Sequence, residues 1–223
     1  MRWRVEYEKG PVIRYLSHLD MVRLWERLLR RSHLPIQLTK GFNPHLKISL
    51  GTVLPVGLWG KKEYLDMEME EEFKLDELRS RLTQAAPPGI KVHRLGIIPP
   101  GSPSLMAAVN TSAYRILFPG KLEDRVKDSA SKMKEASRIQ VIRQKDQQEV
   151  DIRPGIVSLD CFPADNGFVL ESLVITGSRD AVRFPELVLA LADFGLPQES
   201  IIDSWREANY IRSDGILKDP LDS

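Results

Sequence analysis

Residues 2–31 read RWRVEYEKGPVIRYLSHLDMVRLWERLLRR. In the first part Trp3, Val5 and Tyr7 alternate with charged neighbours, the period-two pattern of a strand with one apolar face. After a short loop, Ser17 stands three residues before Asp20 at the head of an apolar-periodic run. That is the spacing of a capping box, in which a hydroxyl and a carboxylate satisfy each other's backbone amides. Leu19, Val22, Leu24 or Trp25, Leu28 and Leu29 supply an apolar stripe, so the spacing predicts a helix over 18–31. Arg23, Arg27 and Arg31 recur every four residues and line another side of it.

Working outward, residues 34–39 and 47–53 read as extended, and 63–69 as a clean strand with Tyr64, Asp66 and Glu68 on one face and Leu65, Met67 and Met69 on the other. A helix is predicted over 75–85, closed by Pro87, Pro88 and Gly89, followed by a strand over 90–95. Setting aside the extra extended piece at 47–53, the order is β-α-β-β-α-β, the ferredoxin-like arrangement. Residues 97–103, IIPPGSP, read as a linker. The rhythm then repeats: a strand at 112–118, a charged helix at 121–136, strands at 139–143, 149–154 and 155–162, and a returning strand at 168–175. Asp165-Asn166-Gly167 marks a hairpin between the last two. A helix at 184–194 and a strand at 201–211 complete the series, with 205–208 alternatively helical. The expected fold class is α+β, two tandem ferredoxin-like halves with antiparallel sheets at 1–96 and 104–212, and a frayed tail at 213–223.

Charge is unevenly placed. Residues 1–60 hold seven arginines and three lysines against Glu6, Glu8, Asp20 and Glu26, a net of +6, so the whole-chain charge of +1 leaves −5 for the remainder. Three of the four histidines, His18, His33 and His45, also fall there. A concentrated positive field attracts a polyanion, although many proteins simply have one basic end. With 42% hydrophobic and 28% charged residues, the composition is that of a globular chain rather than a disordered one. Cys161 is the single cysteine, which excludes an intrachain disulfide and any all-cysteine metal site. It lies in a predicted strand and is expected to be buried and inert. No apolar run approaches the roughly 20 residues that cross a bilayer, and the start lacks a signal-type apolar core. A cytoplasmic protein without membrane contact is expected.

Three features are candidates for chemistry. The first is the start of the predicted helix, where Arg14, Ser17 and His18 surround amides that attract anions; Ser17 and Asp20 equally well only cap the helix. The second is the loop Lys40-Gly41-Phe42-Asn43-Pro44-His45-Leu46-Lys47. There Phe42 can stack on a base while Lys40 and Lys47 meet phosphate, Gly41 permits close approach, and Asn43 and His45 add polar contacts; Phe42 as a core anchor is the competing reading. The third is the ridge Arg23, Arg27, Arg30 and Arg31, which suits a nucleic-acid backbone, an acidic partner, or ordinary solvated charge paired with Glu26. His18 and His45 are the candidates for acid–base cleavage of RNA, should their rings converge on one phosphate. No phosphate-loop motif and no H-x-H or H-E-x-x-H spacing is present, so no metal site or cofactor is expected.

The runs Arg14-Tyr15-Leu16-Ser17-His18-Leu19-Asp20 and Gly41-Phe42-Asn43-Pro44-His45, continuing through Lys47, Ser49, Pro55, Gly57 and Glu63 to Asp66, resemble the radical-SAM-linked family of unknown function. Leu46 departs from it, standing where that family often has proline. The resemblance implies a stand-alone form of a domain often fused behind a radical-SAM iron–sulfur protein, and hence such a protein as partner. One cysteine cannot supply the three that typically hold a radical-SAM cluster, so that chemistry would belong to the partner. The expected role is a non-catalytic RNA-binding or substrate-presenting accessory in RNA modification or processing. The alternatives are a metal-independent ribonuclease using a histidine and a protein–protein adaptor without nucleic acid.

Overall fold

A computed structural model describes residues 1–143, 147–177 and 180–222. The chain divides into two compact units, one of Met1–Val109 with Ala208–Ser223, the other of Asn110–Glu207. The first unit holds β1 (Arg2–Lys9), α1 (His18–Arg31), β2 (Ile48–Leu50), β3 (Trp59–Glu68), α2 (Leu75–Ala85), β4 (Ile90–Ile98) and the short α3 (Leu105–Ala108). The second holds β5 (Thr111–Phe118), α4 (Glu123–Glu135), β6 (Gln140–Ile142), β7 (Glu149–Asp151), β8 (Ile156–Ala164), β9 (Gly167–Ile175) and α5 (Phe184–Asp193). Strand β10 (Asp203–Ser213) begins in the second unit and ends in the first, where β11 (Ile216–Lys218) folds back on it. The fold is mixed α+β with antiparallel pairing.

In the first unit the sheet order is β4-β1-β3, with β2 on β3. One face carries Trp3, Val5, Tyr7, Leu65 and Met67 against Trp25, Leu28 and Leu29 of α1 and Leu78 and Leu82 of α2. Burial of each such side chain stabilises by about 1.5–3 kcal/mol. Tyr7 meets Trp25 edge to face at 4.8 Å, a geometry worth about 0.5–1.5 kcal/mol beyond area.

The opposite face is charged yet also buried. Arg4 and Asp66 stand directly opposite each other on β1 and β3. Arg4 Nε and Nη2 donate to the two Asp66 oxygens at 2.7 and 2.9 Å, and Nη1 donates to the Pro220 carbonyl at 2.7 Å. Beside them Tyr64 Oη and Arg94 Nη2 donate to Glu6 Oε2 at 3.0 and 2.9 Å, and Arg94 also pairs with Asp219 at 2.6 Å. Leu105, Val109 and Leu221 pack with Tyr64 over this face. The C-terminal residues are therefore a strap rather than the expected frayed tail; Ser223, its last residue, lies outside the described residues. Asn209 helps to bring the chain back, its amide donating to the Lys62 carbonyl at 3.1 Å.

In the second unit β9 lies between β5 and β8, and β6 pairs with β7 separately. The hairpin at Asp165-Asn166 closes as its sequence requires, with Ala164 opposite Gly167. Helix α4 packs on β8 and β9.

Three expectations change. Residues 34–39 form no strand; only Ile36 bridges Met69 and Leu38 bridges Leu46. Alternate residues there bond to different neighbours, Gln37 N–H to the Glu68 carbonyl and Thr39 N–H to that of His45, so no ladder accumulates. Strand β3 starts at Trp59, four residues before the predicted 63, because Gly60 still pairs with Lys9. Residues 205–208 are extended within β10, not helical.

Arg4→Met leaves the Asp66 carboxylate buried without its guanidinium and is expected to cost about 3–5 kcal/mol, whereas adding Asp66→Leu restores most of the loss. Urea unfolding midpoints of the two variants check this, and equal midpoints for wild type and Arg4→Met would refute it.

Candidate functional site

The start of α1 is built by internal bonds. Lys9, 2% exposed, sends Nζ to the Arg14 and Leu16 carbonyls at 3.2 and 3.0 Å. Arg14 Nε donates to the Gly57 carbonyl at 2.7 Å, and Gly57 N–H returns a bond to the Arg14 carbonyl. Arg14, a candidate for anion binding by its sequence position, thus joins Lys9 in pinning the turn at 14–17. Ser17 Oγ donates to Asp20 Oδ2 at 2.6 Å and accepts from Asp20 N–H at 3.2 Å, while Ser17 N–H reaches the same carboxylate at 3.3 Å. The capping box is present. The Ser17 hydroxyl and amide hold the Asp20 carboxyl below its usual range, helped by Arg23 and Arg27. The positive end of the helix therefore meets a carboxylate of its own chain. His18 lines a cavity of about 20 Å³ beside Lys9, Thr52 and Glu63, space for one water.

Further along α1 the picture reverses. Arg23, Arg27, Arg30 and Arg31 are exposed. Arg23 lies 3.6 Å from Asp20 with both side chains in solvent, where water and salt screen the pair. Arg27 and Arg30 have no hydrogen-bond or ion-pair partner among the described residues. Arg31 Nη2 donates to the Ala85 carbonyl at the end of α2.

The second candidate loop stands beside this face. Thr39 N–H donates to the His45 carbonyl and His45 N–H to Thr39 Oγ1, which closes the neck of a loop over 39–45. Lys40, Gly41, Phe42, Asn43 and His45 are exposed, and Phe42 completely so at 102%. Phe42 anchors nothing. His45 Nδ1 lies 3.7 Å from Glu26 Oε1, which ties the loop to α1 between Arg23 and Arg30. Lys47 is taken up by Glu68. The structure thus places His45, at the neck of the loop, beside Glu26 between Arg23 and Arg30, and leaves Arg14, Ser17 and His18 at the other end of the helix. Glu26, which marks His45, is eight residues from His18, about 12 Å of helical rise.

The buried polar face of the sheet escapes a reading of the sequence. Its members lie as far apart as Arg4 and Pro220, and the only local sign is the alternation of Tyr64 and Asp66. Burial, then the Glu6 charge, pushes the Tyr64 hydroxyl above its ordinary range, so it remains a hydrogen-bond donor. Cys161 is half-buried rather than buried as expected, because β8 ends the strand order and lies at the sheet's edge, and burial pushes its thiol up. Among the described residues no group of three or more His, Cys, Asp or Glu is placed to hold a metal ion.

A family model described as "Uncharacterized protein conserved in bacteria (DUF2344)" matches residues 2–184. No curated protein matches. Among solved structures, DyPB from Rhodococcus jostii RHA1, crystal form 2, is similar with 10% identity and a TM-score of 0.22, over 93% of this chain and 90% of that one. A score that low carries no argument about fold or function.

Ser17→Ala is expected to lower stability by about 1 kcal/mol through loss of the cap. Because the Asp20 pKa is lowered in the folded state, the carboxylate's contribution is fully present above its ordinary value of 3.8 and lost as pH falls through the lowered one. The difference between wild type and variant should shrink on acidification, which thermal unfolding at neutral and strongly acidic pH measures.

Proposed function

We propose that this chain, which belongs to the DUF2344 family of bacterial proteins, binds single-stranded RNA through α1 and the loop at 39–45, as a non-catalytic accessory that presents RNA to a partner enzyme. The observation carrying this reading is the His45–Glu26 approach at 3.7 Å, because it brings the loop that bears a fully exposed phenylalanine to the helix that bears the exposed arginines. Arginines spaced along one helix face meet successive phosphates, and an exposed aromatic offers a stacking platform for an unpaired base. A solvated charge face explains the arginines but leaves Phe42, which has no internal contact to gain, unexplained.

The partner in this proposal is a radical-SAM iron–sulfur protein acting in the cytoplasm on RNA. Its support is the resemblance of residues 14–20 and 41–45, together with the lone Cys161, which leaves cluster chemistry to another chain. We read both units as ferredoxin-like halves. The order β4-β1-β3 with β2 on β3, and the interleaving of α1 and α2 with these strands, support that reading for the first.

The triple variant Arg23→Glu, Arg27→Glu, Arg30→Glu should weaken binding of a fluorescently labelled single-stranded RNA and lower the salt dependence by about 0.7 in log–log slope for each phosphate no longer neutralised. Phe42→Ala should cost about 1–3 kcal/mol of affinity with the slope unchanged. Anisotropy titrations at several salt concentrations separate the two effects. Wild-type affinity and slope in the triple variant would overturn the reading.

A further inference from the structure

Helices α1 and α2 end side by side, and their ends are clasped reciprocally. Arg31 of α1 donates to the Ala85 carbonyl of α2, and Arg81 of α2 donates through Nη1 to the carbonyl of His33, just beyond α1, at 3.2 Å. His33 adopts a left-handed backbone (φ 52°) there. Between these ends opens a groove of about 710 Å³ walled by Pro87 and Pro88. A second groove of about 490 Å³ lies on the other side of the same prolines, lined by Arg79 and Lys91. Both volumes lie in the range of small-molecule sites, about 300–1,000 Å³.

We propose that the Pro87–Pro88 ridge and its two flanking grooves form a second binding surface for the same RNA strand, seating consecutive nucleotides with their phosphates on Arg31 and Arg81 on one side and on Arg79 and Lys91 on the other. This rests on the RNA-binding reading of α1 and extends its track past the helix end. Each guanidinium has five N–H donors. Arg31 spends one on Ala85, and Arg81 spends one on His33 and one on Glu77, so donors remain on both. Arg79 and Lys91 are exposed, and neither side chain has a hydrogen-bond or ion-pair partner among the described residues; Glu8 stands opposite Lys91 on β1. No acidic residue lines either groove. The two helix ends bring roughly half a negative charge each, which four cations outweigh even after Glu77 is counted.

The ridge is also preformed. Ile90 N–H donates to the Pro87 carbonyl and Gly10 N–H to the Gly89 carbonyl at 3.1 and 2.7 Å. Gly89 sits at φ +93°, where a Cβ would come within 2.9 Å of Ile13 and Val12. Two prolines followed by this glycine hold one backbone shape, so little ordering entropy opposes a ligand that lies against them.

The test uses the full chain and the same labelled single-stranded RNA. Arg79→Gln with Lys91→Gln breaks no side-chain bond among the described residues and sets no like charge opposite Glu8, which faces Lys91 across β1, so it should leave the unfolding curve unchanged. It should weaken binding several-fold and reduce the log–log salt slope by about 0.7 for each of the two phosphates set free. Ultraviolet crosslinking of a 4-thiouridine-containing RNA should label a peptide spanning residues 83–91. Wild-type binding by this double variant, while the α1 triple variant loses binding, would overturn the groove and leave the α1 reading standing. No binding by the wild-type protein would overturn both.

Discussion

Arg4 and Asp66 face each other across β1 and β3 with both side chains out of water, and much of the first unit follows from that pair. Two desolvated charges are tolerable only when fully hydrogen-bonded. The carboxylate is bound by both arms of the guanidinium, and the third direction of Arg4 needs an acceptor. The Pro220 carbonyl supplies it. The pair lies on the face that α3 and the C-terminal strap cover, and the strap that takes it out of water also supplies the acceptor that completes its hydrogen bonding. Arg94, held charged chiefly by its hydrogen bond to Glu6, fastens the strap a second time through Asp219. Only the other face remains for α1 and α2, and their outer surfaces become the ones the protein presents.

The basic segment is consequently two populations. Arg2 bonds to the Ser102 carbonyl, Arg4 to Asp66 and Pro220, Lys9 to the 14–16 turn and Arg14 to Gly57. These build the unit. Arg23, Arg27, Arg30 and Lys40 remain in solvent, on the helix and on the loop that His45 brings to it. The field relevant to a partner comes from the second population, and it sits at the middle and end of α1 rather than at its capped start. Lys47 is paired with Glu68, and exposed Glu70, Glu71 and Glu72 follow along the chain.

Legibility follows the range of the interactions. The bounds of α1 and α2 are readable because their causes are local: a hydroxyl three residues from a carboxylate, an apolar stripe of helical period, and prolines at 87 and 88. The Asp165-Asn166 hairpin is readable for the same reason. Residues 34–39 mislead because apolar alternation is a condition for a strand and not a partner for one; bonds at 36–39 go alternately to two neighbours. The start of β3 is hidden because Gly-Lys-Lys reads as a turn until Lys9 pairs across from Gly60. The candidate loop stands out by its composition, but its composition does not say whether Phe42 points in or out, since a phenylalanine between glycine and asparagine suits either.

By itself the sequence determined the α+β class, the capped arginine helix and the concentration of positive charge in the first sixty residues, because periodicity and nearest-neighbour hydrogen bonds act over a few positions. Tertiary structure decided which of those charges were spent inside. Arg4 finds Asp66 at a separation of 62 residues and Pro220 at 216, Arg14 finds Gly57 at 43, and no local pattern distinguishes these arginines from Arg27 or Arg30. An ionic group is drawn inward only where a complementary group is already held in place, and that condition is set by the folded sheet.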